Sequence, residues 1–198
     1  MKNILLLLVL LNFISTAWAQ SFSTNKFSKS SDYYERIDLY DDKGNSIISV
    51  APRFYKQKTL KHWVKPIKVD GRTYFIKRGK NGSESVYSES GEHVALISRK
   101  NTTIHLVEEN RKYSFKPHIK FSNLNFLECR NSEGILVSTT SFSSDRTLTY
   151  SHHNGEHPNL LLMSLCTHQY QELLLGERGK LSSLNNILIN STLLSICE

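Results

Sequence analysis

The sequence predicts a mainly β protein, an antiparallel sheet of roughly eleven strands enclosing one hydrophobic helix near the C-terminus. Three observations lead there. From Arg36 onward, short apolar or alternating runs recur at intervals of roughly ten residues, the spacing of an all-β barrel or sandwich. The runs are separated by Gly- and Asn-bearing turns, which supply the positive φ that tight hairpins require. Beyond the N-terminal 19 residues and within 36–176, a single segment, HPNLLLMSLCTHQYQELLLG from His157 to Gly176, stays apolar for more than a few residues.

The strand candidates can be read in order. They are RIDLY before DDKGN, SIISVA, LKHWVKPIKV before Asp70-Gly71, RTYFIKR before GKNG, SVYS before ESGE, and HVALIS before RKNT. TIHLVE, KYSFK, LNFLECR before NSEG, ILVSTT and RTLTY follow. Asp70-Gly71, lying between two apolar runs, is the sharpest hairpin signal. Alternation is clear at Val94 and Leu96, Ile104 and Leu106, Tyr113 and Phe115, and Leu148 and Tyr150, so one sheet face is expected to be buried. Pro66 lacks a ladder donor, which predicts an edge strand, a bulge or two short pieces.

Pro158 suits a helix start, Asn159 caps if the start slips by one residue, and Gly176 is placed to end the helix. Leu160, Leu161, Leu162, Met163, Leu165 and Cys166 cover every direction around the axis, so this half must be enclosed. The second half carries His168, Gln169, Gln171 and Glu172, which leaves too short an apolar span for a bilayer and favours enclosure by the sheet. On that reading Leu162→Asp prevents folding, whereas Gln169 and Gln171, in the more polar half, tolerate Glu.

The first 19 residues, one Lys followed by an apolar run and Ala17-Trp18-Ala19, read as a signal peptide cleaved after Ala19. The mature chain is expected to be exported, periplasmic or secreted, with no transmembrane segment. Residues 20–35, Ser-, Asn- and Lys-rich, read as a flexible leader, 36–176 as one domain, and 177–198 as a C-terminal extension. Cleavage lowers the formal charge from +7 to +6. Cys129, Cys166 and Cys197 allow at most one bridge, and Cys166 reads as an inert buried thiol.

The order of these features resembles the tubby C-terminal-like superfamily, which includes phospholipid scramblases and LURP-one-related proteins. The resemblance is carried by YDDKGNSIISV, VYSESGEHVALISRK, LECRNSEGILVSTTS and HPNLLLMSLCTHQYQELLLG and runs from about Arg36 to Gly176. It implies a closed antiparallel barrel of about twelve strands around a central hydrophobic C-terminal helix, with binding and membrane-associated activity instead of hydrolysis. An exported protein departs from the intracellular phosphoinositide binding of the tubby proteins. The polar second half of the helix departs from the membrane-inserting helix of scramblases.

Two clusters are candidate sites. Between Arg53 and Lys80 there are ten Lys or Arg against one acid, Asp70. Arg53, Lys56, Lys58, Lys61, Trp63, Lys65, Lys68, Arg72, Lys77 and Arg78 form the candidate ligand-binding basic face. Lys61, Trp63 and Lys65 share one strand face, suited to anionic lipid headgroups or another polyanion. The same charges also fit a solvated outer face guarding an edge strand. No nucleic-acid module is present, and nucleic acid is not expected as a partner.

In HHNGEHP, His152, His153, Glu156 and His157 offer imidazole and carboxylate in one loop, but without helical i, i+4 spacing. No G-x-S-x-G motif or phosphate loop is present. The expected function is that of an exported non-enzymatic binding protein, with no cofactor and no resident metal. The alternative is an exported hydrolase or metal-dependent enzyme using the His152, His153 and His157 loop.

Overall fold

The computed structural model describes residues 21–23, 36–41, 43–57, 62–79, 82–120, 123–142, 147–153 and 158–176. Thirteen strands form one antiparallel sheet. In chain order they are β1 (Ser21–Ser23), β2 (Ile37–Tyr40), β3 (Ser46–Val50), β4 (Tyr55–Gln57), β5 (His62–Val69), β6 (Arg72–Arg78) and β7 (Ser83–Ser88). Then follow β8 (His93–Ser98), β9 (Thr103–Leu106), β10 (Arg111–Lys120), β11 (Asn123–Asn131), β12 (Leu136–Phe142) and β13 (Leu148–His152). A helix, α1, spans 160–176. All eleven runs read from the sequence are strands, and β1 and β4 are additions to them.

From β5 to β13, neighbours in sequence are neighbours in the sheet, each reached by a short turn. Asp41, Ser88 and Asn131 each accept a backbone bond from the glycine three residues on, Gly44, Gly91 and Gly134. The side-chain oxygens of the same three residues take the backbone N–H four residues on, at Asn45, Glu92 and Ile135. The glycines sit at φ from 80° to 87°, where an L side chain is strained. At the β5–β6 hairpin both turn residues are left-handed, Asp70 at 47° and Gly71 at 74°, the type I′ geometry that Asp-Gly predicts.

β5 is continuous through Pro66 and lies inside the sheet, not at its edge. The break falls in its neighbour instead: β3 pairs with Ile67 to Val69, and β4 with His62 to Val64. The Pro66 carbonyl accepts from Ala51 N at 3.1 Å, so the nitrogen on the same side of the strand faces the β3–β4 connection, where no ladder needs its donor.

The hydrogen-bonded path has two ends, β1 and β2. The sheet is therefore not closed by a ladder, which corrects the expectation of a closed barrel. β1 lies in the stretch read as a flexible leader and pairs there with β13 through Ser21–Ser151, Phe22–Tyr150 and Ser23–Thr149.

The sheet wraps α1. Inner-face residues from every strand between β2 and β13 except β4 and β7's polar Glu84 meet Leu162, Met163, Leu165, Cys166 and Tyr170 in one apolar core. Every residue from Leu162 to Gln171 is buried. Each large apolar side chain among them contributes roughly 1.5–3 kcal/mol. Asn159 caps the helix, its Oδ1 accepting from Leu162 N at 2.9 Å. The Ser164 and Thr167 hydroxyls bond back to the Leu161 and Met163 carbonyls, so neither is an unpaired polar group in the core. Enclosure extends through the polar half of α1, so Gln169 and Gln171 do not stand in solvent and each is met by a partner from the sheet. Among the described residues no helix is long and apolar enough to cross a membrane.

Candidate functional site: a buried ion network and its cationic rim

On the inner face of β5 the alternation reads Lys65, Ile67, Val69, and on β7 it reads Glu84, Val86. Both charged side chains occupy positions whose neighbours at i+2 are core residues. Lys65 is 0% exposed and Glu84 is 1% exposed. Isolated charges there would be prohibitive, so each must be met by a partner. The polar half of α1 supplies them.

Lys65 Nζ donates to Gln171 Oε1 at 2.6 Å and to Glu172 Oε1 at 3.1 Å. Glu172 Oε2 also accepts from Arg78 at 2.8 Å and Arg99 at 2.9 Å. Arg99 bridges to Glu84 Oε1 at 2.8 Å, with Arg78 Nε 3.6 Å from the same oxygen. Glu84 Oε2 takes His168 Nε2 at 2.9 Å and Gln169 Nε2 at 3.0 Å. Three strands and the helix are thus tied by three cations and two carboxylates, leaving one net positive charge when His168 is neutral.

Burial pushes the Lys65 ammonium down to about 8, against the opposing attraction of Glu172. Burial also works against ionised Glu172, but neighbouring His168, Lys65 and Arg99 hold its carboxyl at about 2. The His168 share of that effect requires an imidazolium. His168 is itself lowered below its ordinary value, chiefly by burial and then by Lys65. At neutral pH Lys65 and Arg99 therefore carry the stabilisation of Glu172. His168 Nδ1 is buried with no hydrogen-bond partner, which fits a neutral ring protonated on Nε2 and donating to Glu84.

The network surfaces at one end of the fold. Phe54 stacks under the Arg78 guanidinium, 4.0 Å from ring centre to carbon, and meets His168 edge-on at 6.0 Å. Pro52, Arg53, Phe54, Trp63, Arg78, Glu172 and Leu175 line a shallow cleft of about 410 Å³ above it. Trp63 is 53% exposed, and Lys56 lies opposite it in the β4–β5 register.

The predicted basic face is therefore not one surface. Arg53, Lys56, Trp63 and Arg78 gather at this rim. Lys65 shares its strand parity with Trp63, as read from the sequence, but points into the core and is committed to Gln171 and Glu172. Lys68 and Lys77 belong to the opposite face of the sheet, with the Lys77 ammonium 5.9 Å from the Tyr87 ring. Arg72 is at the far hairpin, paired with Val69. Lys58 and Lys61 lie outside the described residues.

The histidines do not converge. His152 is buried on the inner face of β13 and lines a second cavity, of about 860 Å³, together with Tyr113, Asn159 and Leu162. His153 follows it on the outer side, exposed and bonded to Thr139 Oγ1 at 3.0 Å. His157 and Glu156 lie outside the described residues. Among the described residues no group of three His, Cys, Asp or Glu side chains is placed to hold a metal ion.

Sequence reasoning missed Glu84, Arg99, His168, Gln169, Gln171 and Glu172 as one unit. A signal was present: Lys65 and Glu84 interrupt apolar alternation with opposite charges, and the enclosed helix is polar over one half. The chain matches no protein-family model, no curated protein and no solved structure.

Proposed function

We propose that this chain is an exported, non-enzymatic binding protein that engages anionic lipid headgroups, or another polyanion, through the rim formed by Arg53, Lys56, Trp63 and Arg78. The observation that carries the reading is the cleft itself. An exposed tryptophan stands there beside Phe54, Arg53 and Arg78. With Lys56, Lys65 and Arg99, the rim and the network below hold, among the described residues, five cations against two carboxylates, Glu84 and Glu172. Such a field attracts anions, and an indole at the rim suits the boundary between headgroup and acyl chain.

The network gives the rim a rigid base. Arg78 is bonded to Glu172 and stacked on the Phe54 ring, and these two contacts orient its guanidinium. The tubby-like resemblance belongs to the same reading. It is supported by the consecutive antiparallel strands, the repeated turn ending in glycine, and the helix enclosed by the sheet. Closure of the barrel would follow from the approach of β1 to β2, its two end strands.

Co-sedimentation with vesicles tests the reading. Phosphatidylglycerol vesicles should retain the protein at low ionic strength, phosphatidylcholine vesicles should not, and salt should release it within the range where the screening length falls to about 10 Å. Trp63→Ala and Arg53→Ala should each weaken retention, while Lys68→Ala on the opposite sheet face should not. Equal retention by neutral and anionic vesicles would refute it.

A further inference from the structure

The larger cavity, of about 860 Å³, lies around the start of α1, at the end of the fold opposite the cationic rim. Asn159 at its edge and Glu172 at the rim are separated by about 20 Å along the helix axis. Two local features build its wall. On β12 the register against β11 shifts, Cys129 facing Ser138 but Arg130 facing Leu136, so Val137 is the extra residue of a bulge. Val137 and Ser138 are therefore both buried, which the alternation of a regular strand forbids, and Val137 joins the cavity wall. At the helix start Asn159 is engaged from both ends of its amide. Its Oδ1 accepts from Leu162 N at 2.9 Å, and its Nδ2 donates to Glu109 Oε1 on the β9–β10 turn, which fixes the first turn of α1 and Leu162 with it.

The interior and the mouth of this cavity differ in chemistry. Val137 and Leu162 line the interior with Tyr113 and His152, and all four are buried. Ser138, opposite His152 in the β12–β13 ladder, is fully buried, and its hydroxyl makes no hydrogen bond of ordinary geometry. At the mouth, Arg111 and Lys112 of β10 are balanced by Glu109 and Glu133, with Arg111 Nη1 3.8 Å from Glu109 Oε2. Ile135 adds an apolar lip, 46% exposed.

We infer that this cavity is a second binding site, for a small uncharged amphiphile: an aliphatic or aromatic body with one hydrogen-bonding head such as a hydroxyl or carbonyl. The volume lies within the roughly 300–1,000 Å³ of small-molecule sites. The balanced mouth attracts neither sign of charge, unlike the rim at the other end. A charged head drawn past it would exchange water for Tyr113 and His152 alone, with no carboxylate, lysine or arginine in the interior. An uncharged head can bond to those two side chains while the body lies on Val137 and Leu162.

Three probes with the same eight-carbon chain separate head from body: 1-octanol, octanoate and octylammonium. Calorimetric titration of the full chain should give saturable binding of 1-octanol, with either ion at least about tenfold weaker. Methyl resonances of Ile135, Val137 and Leu162 should move on titration of the wild-type protein, and those of Leu175, at the rim, should not; this readout stands whether or not any variant folds. Val137→Phe, which narrows the cavity, should weaken octanol binding, whereas Trp63→Ala should bind octanol as wild type does. No saturable binding of the alcohol, equal or tighter binding of either ion, shifts confined to Leu175, or undiminished affinity in a folded Val137→Phe protein would each overturn the site. None of these outcomes depends on vesicle binding, so this inference and the proposed function fail separately.

Discussion

Replacing Gln169 by Glu changes one amide to a carboxylate with almost no change of shape, and it does so where Gln169 Nε2 donates to Glu84 Oε2 at 3.0 Å. The variant sets two carboxylates at that separation in a buried site, with Arg99 already engaged at the other Glu84 oxygen. At an effective dielectric of about 20 the repulsion is roughly 5.5 kcal/mol. The protein has a cheaper response, which is to keep one proton between the two groups. Holding a carboxyl of ordinary pKa near 4.3 protonated at about pH 7 costs about 3.7 kcal/mol, and at about pH 5 only about 1 kcal/mol.

The pair's folded pKa is raised, so the penalty is absent below the unfolded value and grows as pH rises above it. Urea unfolding of Gln169→Glu beside wild type should therefore show a deficit near 4 kcal/mol at about pH 7, shrinking to about 1 kcal/mol at about pH 5. Gln171→Glu is the internal control. Its new carboxylate meets Lys65 Nζ, 2.6 Å from the present amide oxygen, and cancels the network's net positive charge. It should cost less than about 1 kcal/mol at either pH. A Gln169→Glu protein as stable as wild type at neutral pH, or one with the same deficit at both pH values, would refute the network as described.

Three further predictions concern the two pH limbs and the apolar half of the helix. Glu172, held at about 2, stabilises the fold fully above its unfolded value near 4.5, and this contribution is lost as pH falls toward 2. Lys65, lowered to about 8, has the opposite consequence: its protonation penalises the fold below 8, and relief as pH rises from 8 to the model-compound value of 10.5 should add about 3 kcal/mol from this group. Denaturant midpoints across pH check both limbs, and Glu172→Gln should flatten the acid one. Leu165→Asp, at a fully buried helix position, should abolish the cooperative thermal transition. Leu162→Asp should be milder, because Leu162 lines the larger cavity and its carboxylate can reach water there.

The elements were legible because their causes are local. Asp70-Gly71 adopts the left-handed pair that its chemistry favours, the repeated glycines turn where a side chain would strain, and Asn159 caps α1 one residue after Pro158. Enclosure of the first half of the helix followed from its being apolar all round. β4 escaped notice because its three residues have no pattern of their own and exist only because Pro52 and Pro66 divide the neighbour of β5 between two strands.

The site was legible only in part. A period of two groups Trp63 with Lys65 on one face, but it does not say which face turns inward. That depends on how the curled sheet meets a helix about a hundred residues away in sequence. Lys65 was therefore read as part of a cationic surface and is found in the core. Gln169 was read as tolerant for the same reason, since a polar residue on a helix looks solvated until its partner, here Glu84, is known. The sequence by itself determined eleven of the strands, their turns and the enclosed helix, because these rest on dihedral preference and on apolar groups leaving water. Only the tertiary structure decided which charges are buried, because burial of a charge is permitted only by a partner, and every partner here comes from a different element.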